Sequence, residues 1–257
     1  MKKVDLNVDI GEGFPHDEEL LEFATSASVC CGEHAGSWDL TVATIGLCQD
    51  LGKRIGMHPG YPDRPGMGRR TLLPYNSTTW NSSLVEQAVR FCGYVKPAYV
   101  KPHGAFYNDT ALPLEYFVPP ELGPVSRGSS YVAEGESGFA ASLIAGLPGG
   151  TSLFTILLAT PCLMGLPGTM HEQAARTAGA SFIREGFADR AYDWLGLLVP
   201  RSEPGAVLED PEQIGQQVLD LAPKVDSICL HGDTPNCLEF AEIVFKTLVD
   251  AGYEVGY

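Results

Sequence analysis

Apolar and polar residues alternate from Val4 to Asp9 with the period of a strand. Gly11-Glu-Gly then turns the chain into Asp17–Ala24, a helical stretch opened by acidic residues that suit the positive end of a helix dipole. The same unit recurs along the chain. Ala27–Cys31 is a short apolar strand, and a helix near Trp38–Leu51 follows with Gly52 placed to end it. Arg54–His58 is a third strand, leading through the Gly/Pro-rich loop Pro59–Arg70 to a helix from about Ser77 to Tyr94, with Asn76, Ser77 and Thr78 as candidate caps. Ala98–Lys101 is a fourth strand. Residues from about 109 to 136 form an irregular stretch, with Leu112–Gly135 rich in Pro, Gly and Ser, and predict an excursion over the surface. The rhythm then resumes, so this stretch is not a domain linker. It continues with a short helix around Ser137–Leu147, an apolar strand Ser152–Ala159, helix Thr169–Ala178, strand Ser181–Ile183, helix Pro211–Leu221, strand Ser227–Leu230, helix Cys237–Ala251 and strand Tyr253–Gly256.

Strands joined by helices build either an open doubly wound sheet or a closed barrel. The polar residues separate the two. His34, His58, His103, Glu185 and His231 each come just after a different strand, as do Asp9 and Glu12. A barrel opens all those loops on one face, whereas an open sheet offers only its switch-point crevice. The expected architecture is therefore a single α/β domain over residues 1–257, a (β/α) barrel.

Composition narrows the partners. The chain has 257 residues, 44% of them apolar and 19% charged, with no apolar run long enough to span a bilayer. Its start runs straight into a strand pattern and does not read as a signal peptide, which predicts a cytoplasmic protein. The net charge of −15 argues against nucleic acid and anionic membranes, leaving a small molecule or another protein. The seven cysteines are odd in number and contain no C-x-x-C, unlike a disulfide framework or a thiolate zinc site. Packing is the favoured reading for them, including the Cys30-Cys31 pair near the suspected chemistry.

Four of the six histidines sit in Gly/Pro turns after strands: Glu33-His34-Ala-Gly36, His58-Pro-Gly60, Lys101-Pro-His103-Gly104 and His231-Gly-Asp233. Neutral imidazoles converging with a carboxylate suit a divalent metal, and equally suit acid–base chemistry. His16 and His171 read as surface or satisfied core residues. Asp5, Asn7 and Asp9 share one face of the first strand; Asp9 and Glu12, at its end, are the better site candidates, while Asp5 is expected at a helix N-terminus or in solvent. Lys101, two residues before His103, suits stabilisation of an oxyanion. Arg69, Arg70, Arg190 and Arg201 are forked donors for a carboxylate or a phosphate, and Glu185, Asp189 and Arg190 cluster after a strand. No G-x-G-x-x-G, G-x-S-x-G or H-E-x-x-H occurs, and Gly46…Gly52-Lys53-Arg54 has the wrong spacing for a P-loop.

The blocks Asp5-Leu-Asn-Val-Asp-Ile-Gly-Glu12, Cys31-Gly-Glu-His-Ala-Gly36, Gly56-Met-His-Pro-Gly-Tyr-Pro-Asp63, Gly68-Arg-Arg70, Val100-Lys-Pro-His-Gly-Ala-Phe-Tyr-Asn108, Glu185-Gly-Phe-Ala-Asp-Arg190, Leu198-Val-Pro-Arg-Ser-Glu-Pro-Gly-Ala206 and Cys229-Leu-His-Gly-Asp233 resemble the LamB/YcsF family. That family comprises the A subunit of the ATP-dependent 5-oxoprolinase complex and proteins named for lactam utilisation. The resemblance implies a seven-stranded barrel like those of glycoside hydrolases and deacetylases, in which a divalent metal is common. It implies hydrolysis of 5-oxoproline or a related lactam such as 2-pyrrolidinone, with the partner B and C subunits handling ATP, and leaves room for a homo-oligomer. In that setting Asp9, His58 and His103 are the metal or polar-core candidates. Glu12, His34, Lys101, Glu185, Asp189, His231 and Asp233 are the catalytic candidates, and Arg69, Arg70, Arg190 and Arg201 the substrate-binding ones. Glu33 and Ser37 depart from the family pattern, as do Leu112–Leu147 and Ala159–Gly165. The alternatives are a metal-dependent deacetylase or other carbohydrate-active hydrolase acting alone, and a non-catalytic ligand-binding subunit.

Overall fold

A computed structural model describes residues 2–71, 78–112 and 149–257. Seven parallel strands close into a barrel: β1 (Lys2–Ile10), β2 (Ser26–Cys30), β3 (Arg54–His58), β4 (Tyr99–Val100), β5 (Cys162–Gly165), β6 (Ser181–Phe187) and β7 (Ser227–His231), with β1 hydrogen-bonded to both β2 and β7. An eighth strand, β8 (Tyr253–Val255), pairs with Lys2–Val4 of β1, below the point where β2 joins it. Among the described residues the helices are α1 (Asp17–Phe23), α2 (Trp38–Asp50), α3 (Thr78–Tyr94), α4 (Gly104–Thr110), α5 (Gly150–Leu157), α6 (Met170–Ala178), α7 (Pro211–Leu221) and α8 (Cys237–Asp250), with a 3₁₀ turn at Arg64–Gly66.

Period two divides β1 between two environments. Val4, Leu6, Val8 and Ile10 face outward into the main apolar core beneath the helices. Asp5, Asn7 and Asp9 face into the barrel and are buried. The inward polar row survives because every member is hydrogen-bonded. The Asp5 carboxylate accepts from the hydroxyls of Thr25, Ser26 and Ser227, and Asn7 donates to Glu185 and Ser227. Asp5 thus lies inside the barrel and not at a helix N-terminus or in solvent, because Ser26 and Ser227 offer it donors there.

Two further sequence expectations are corrected. Ser152–Ala159 is not a strand: Gly150–Leu157 is helical, starting from Gly149 at φ 73 and packing against α3 and α6. A uniformly apolar run carries no period, so buried strand and buried helix look alike. The strand in this unit is Cys162–Gly165. β6 also runs on to Phe187, so Glu185 lies within a strand and not after it. Beyond β6, short antiparallel bridges (Arg190 to Val207, Tyr192 to Leu198) fold the connection to α7 back on itself. The expected excursion beyond Leu112, the helix Ser137–Leu147 and the caps Asn76 and Ser77 lie outside the described residues.

Candidate active site at the barrel mouth

The C-terminal ends of the strands deliver the site. His58 and His231 are the last residues of β3 and β7, Asp9 is next to last in β1, and Lys101 directly follows β4. Glu12 and His34 come from the β1 and β2 loops, and His103 sits at the N-cap of α4.

His58 turns Nδ1 to the carbonyl oxygen of Lys101 at 2.8 Å, and His103 turns Nε2 to the carbonyl of Met67 at 2.9 Å. Carbonyls only accept, so those nitrogens carry the protons. The remaining lone pairs, His58 Nε2 and His103 Nδ1, face each other at 2.9 Å. Glu12 Oε1 lies 3.2 Å from His103 Nδ1, 3.9 Å from His58 Nε2 and 3.2 Å from His34 Nε2. Two lone pairs and a carboxylate converging on one point call for a cation between them. Glu12, His34, His58 and His103 form a donor set compact enough to hold a metal ion. The carbonyl contacts already fix which nitrogen of His58 and His103 is free, as outer-shell partners do for metal-binding histidines. The residues present therefore fit a divalent ion.

Lys101 is 1% exposed, and its ammonium contacts Asp9 Oδ1 and Glu185 Oε1 at 2.8 Å each, Cys229 Sγ at 3.0 Å and Asn7 Oδ1 at 3.1 Å. Burial opposes its charge, but Asp9, Cys229 and Glu185 outweigh that and hold its pKa well above the usual lysine value. Burial likewise opposes ionisation of Asp9, yet His58, Lys101 and His231 keep its pKa well below the carboxylate range. Asp9 Oδ2 points the other way, 3.4 Å from His58 Nε2 and 3.8 Å from His231 Nε2.

His34 and His103 stack at 3.8 Å with rings 4° apart, yet their environments differ. Burial pulls His34 down, but Cys30 and Glu12 more than reverse it and push its pKa up to about 10. Burial, together with His34, His58 and Arg69, pushes His103 well below its ordinary value. A charged imidazole and a neutral one thus lie side by side, an arrangement chemically suited to acid and base work.

A cavity of about 330 Å³ opens above this floor, lined among others by Asp9, His58, Lys101, His103, Tyr107, Arg69, Arg190, Arg201 and His231. Asp233 neutralises part of its cationic wall, taking bonds from Arg69 and Arg201. Burial opposes ionisation of Asp233, but His231 and the two arginines bring its pKa to about 2. Arg190 is held by the carbonyls of Ala206 and Val199, and burial, helped by Arg201, lowers its pKa to about 10.

Of the sequence candidates, Asp9, His58, Lys101, His103 and His231 line the cavity floor, and Glu12 and His34 sit behind it against His58 and His103. Glu185 lies beneath it, on Lys101. Asp189 sits behind His231 and holds its Nδ1 at 2.9 Å. Arg69, Arg190 and Arg201 line the cavity, whereas Arg70 pairs with Asp63 on the 3₁₀ turn, its side chain 65% exposed and away from the cavity. Among the residues not foreseen, Cys229 touches Lys101, Cys30 Sγ lies 3.3 Å from His34 Nε2, and the Phe187 ring lies 5.2 Å beneath the Lys101 ammonium and stacks on His231. Period two along β7 was a usable signal for Cys229, since Ser227, Cys229 and His231 share one strand face.

The LamB/YcsF family model matches residues 4–115 and 156–256. Among curated relatives, the 5-oxoprolinase A subunit of Neisseria meningitidis serogroup C is 35% identical, with 99% of each chain covered. The protein of the same name from Pyrococcus furiosus is 34% identical, covering 98% of this chain and 96% of its own. A crystal structure of a lactam utilization protein from Thermus thermophilus superposes with a TM-score of 0.70 at 28% identity, covering 100% and 99% of the two chains. The barrel, the motifs that build its mouth and these full-length matches together place the chain in the LamB/YcsF family.

Proposed function

We propose that this chain opens the lactam ring of 5-oxoproline, or of a close analogue such as 2-pyrrolidinone, as one subunit of an ATP-coupled enzyme. One observation carries the reading: the cavity sets a guanidinium wall opposite a buried Lys101–Asp9–His58–His103 floor. A substrate carboxylate fits the wall, at Arg201 and Arg190. The amide carbonyl then points to the floor, where the Lys101 ammonium stabilises charge on its oxygen. Behind the cavity-lining His58 and His103, Glu12 takes up the proton released by the attacking water and His34, kept charged, is the acid that returns one toward the departing ring nitrogen through the groups in front of it. A divalent ion held by Glu12, His58 and His103, with Asp9 alongside, would supply Lewis acidity to that chemistry.

Opening an unstrained five-membered lactam is weakly driven, so coupling to ATP gives it direction. No nucleotide motif occurs in this sequence, and the A-subunit name carried by its relatives fits an assembly in which B and C subunits handle ATP and activate the lactam. No helix among the described residues is long and apolar enough to cross a membrane, in keeping with a cytoplasmic enzyme. The test is 5-oxoproline hydrolysis by the purified chain, alone and with candidate partner subunits, with and without ATP. Turnover needing partner, ATP and this chain supports the reading. Amide or ester hydrolysis by the chain alone supports a self-sufficient hydrolase instead, and full activity of the complex after His58→Ala and His103→Ala supports a binding subunit.

A further inference from the structure

The ligand-type side chains at the mouth fall into two groups, not one. Glu12, His34, His58 and His103 form the first; Asp9, Cys229 and His231 form the second, with their ligand atoms all within 4.8 Å of one another. Asp9 and Cys229 of the second group already hold a positive charge. The Lys101 ammonium sits among Asp9 Oδ1, Glu185 Oε1, Asn7 Oδ1 and Cys229 Sγ at 2.8 to 3.1 Å, three oxygens and a sulfur around one centre. Asp9 joins the groups, with Oδ1 on the ammonium and Oδ2 toward His58 and His231.

We propose that the mouth is a two-cation centre bridged by Asp9, in which the tethered ammonium of Lys101 permanently fills the second position and so limits the protein to a single divalent ion. The inference rests on the reading of Glu12, His58 and His103 as the site of that ion. The carboxylates carry the logic. Asp9 and Glu185 are both buried against Lys101, and buried carboxylates persist as anions only with a cation beside them. A lysine supplies that charge with no dependence on metal supply. It occupies the place a second ion takes in dinuclear hydrolases, where two cations flank one reaction centre. Removing the ammonium leaves two carboxylate oxygens, an amide oxygen and a thiol around a space about the size of the lost –NH₃⁺. A divalent ion takes up such a set and displaces the thiol proton as it binds.

The test compares wild type with Lys101→Met and Lys101→Gln by metal content after cobalt loading and by absorption spectroscopy. Wild type is expected to bind one equivalent of Co²⁺ with no cobalt–thiolate charge-transfer band. Either variant is expected to bind two, with a thiolate band that disappears in the Lys101→Met/Cys229→Ser double variant. Wild type that binds no cobalt overturns the metal reading itself. Wild type that binds two equivalents, or shows the thiolate band, overturns the occupancy assigned to Lys101 and needs no variant to do so. A folded variant, verified by circular dichroism, that still binds one equivalent without the band also overturns the proposal.

Discussion

The free nitrogens of His58 and His103 face each other at 2.9 Å, while each ring spends its other N–H on a backbone carbonyl. Two bare lone pairs at that distance repel unless something positive lies between them. Either a shared proton or a metal ion satisfies the pair, and Glu12 adds the negative charge that favours the ion. His103→Ala is therefore expected to lower divalent metal affinity by at least about tenfold, and turnover of the assembled enzyme by about 10²–10⁴. Metal analysis and steady-state kinetics on the same preparation measure both; unchanged values would remove the pair from the chemistry.

Gly60 reaches the same histidines without carrying any chemistry. A Cβ there would lie 2.5 Å from His34 Nδ1 and 3.1 Å from the His103 Cβ. The His34 ring must move, and it is stacked face to face on His103, whose own Cβ must also give slightly. Gly60→Ala is expected to cost about tenfold or more in turnover, because misplacement by a fraction of an ångström degrades aligned catalytic groups. A thermal melt alongside the kinetics separates this from unfolding: kcat falls further than Tm accounts for.

The arginines make a sharper contrast. Arg201 lines the cavity and shares Asp233 with Arg69, whereas Arg70 is committed to Asp63 away from it. Loss of a charge-assisted bond to a substrate carboxylate is worth about 1.5–3 kcal/mol, roughly 10- to 150-fold. Arg201→Ala is accordingly expected to raise KM for 5-oxoproline by about that factor, with kcat changed less. Arg70→Ala is expected to leave KM alone. Equal effects from the two variants would contradict the placement of the carboxylate.

His171 predicts how the fold responds to acid. The ring accepts from the Leu166 N–H at Nδ1 and donates from Nε2 to the Thr110 hydroxyl, itself committed as a donor to the carbonyl of Phe106. The neutral ring is thus fully satisfied, and burial lowers its pKa from 6.5 to about 3. Below pH 6.5 the unfolded chain takes up a proton that the folded one refuses. Stability from this group is present above pH 6.5 and falls as the pH drops toward 3, by up to a few kcal/mol. Denaturant melts at pH 7 and pH 4.5 are expected to show the loss, and His171→Gln, which cannot be protonated, to shrink the difference between the two. An equal difference in the variant would assign the acid sensitivity to the carboxylates.

What the sequence determined by itself is local. Alternation placed Val4, Leu6 and Val8 on the side opposite Asp5, Asn7 and Asp9, because successive strand residues point to opposite faces. Turns after strands singled out His34, His58, His103 and His231, because a barrel gathers every such turn on one face. Ser152–Ala159 escaped it, since a uniformly apolar run has no period, and the strand Cys162–Gly165 has only four residues in which to show one. Only the tertiary structure decided who touches whom across the barrel. Lys101 and Cys229 stand 128 positions apart and meet at 3.0 Å because the closure of β1 onto both β2 and β7 brings the strands round to face each other, a distance that spacing along the chain does not encode. The neighbours Arg69 and Arg70 look equivalent in sequence. The turn at Arg64–Gly66 sends one guanidinium to Asp233 at the cavity and the other to Asp63 away from it.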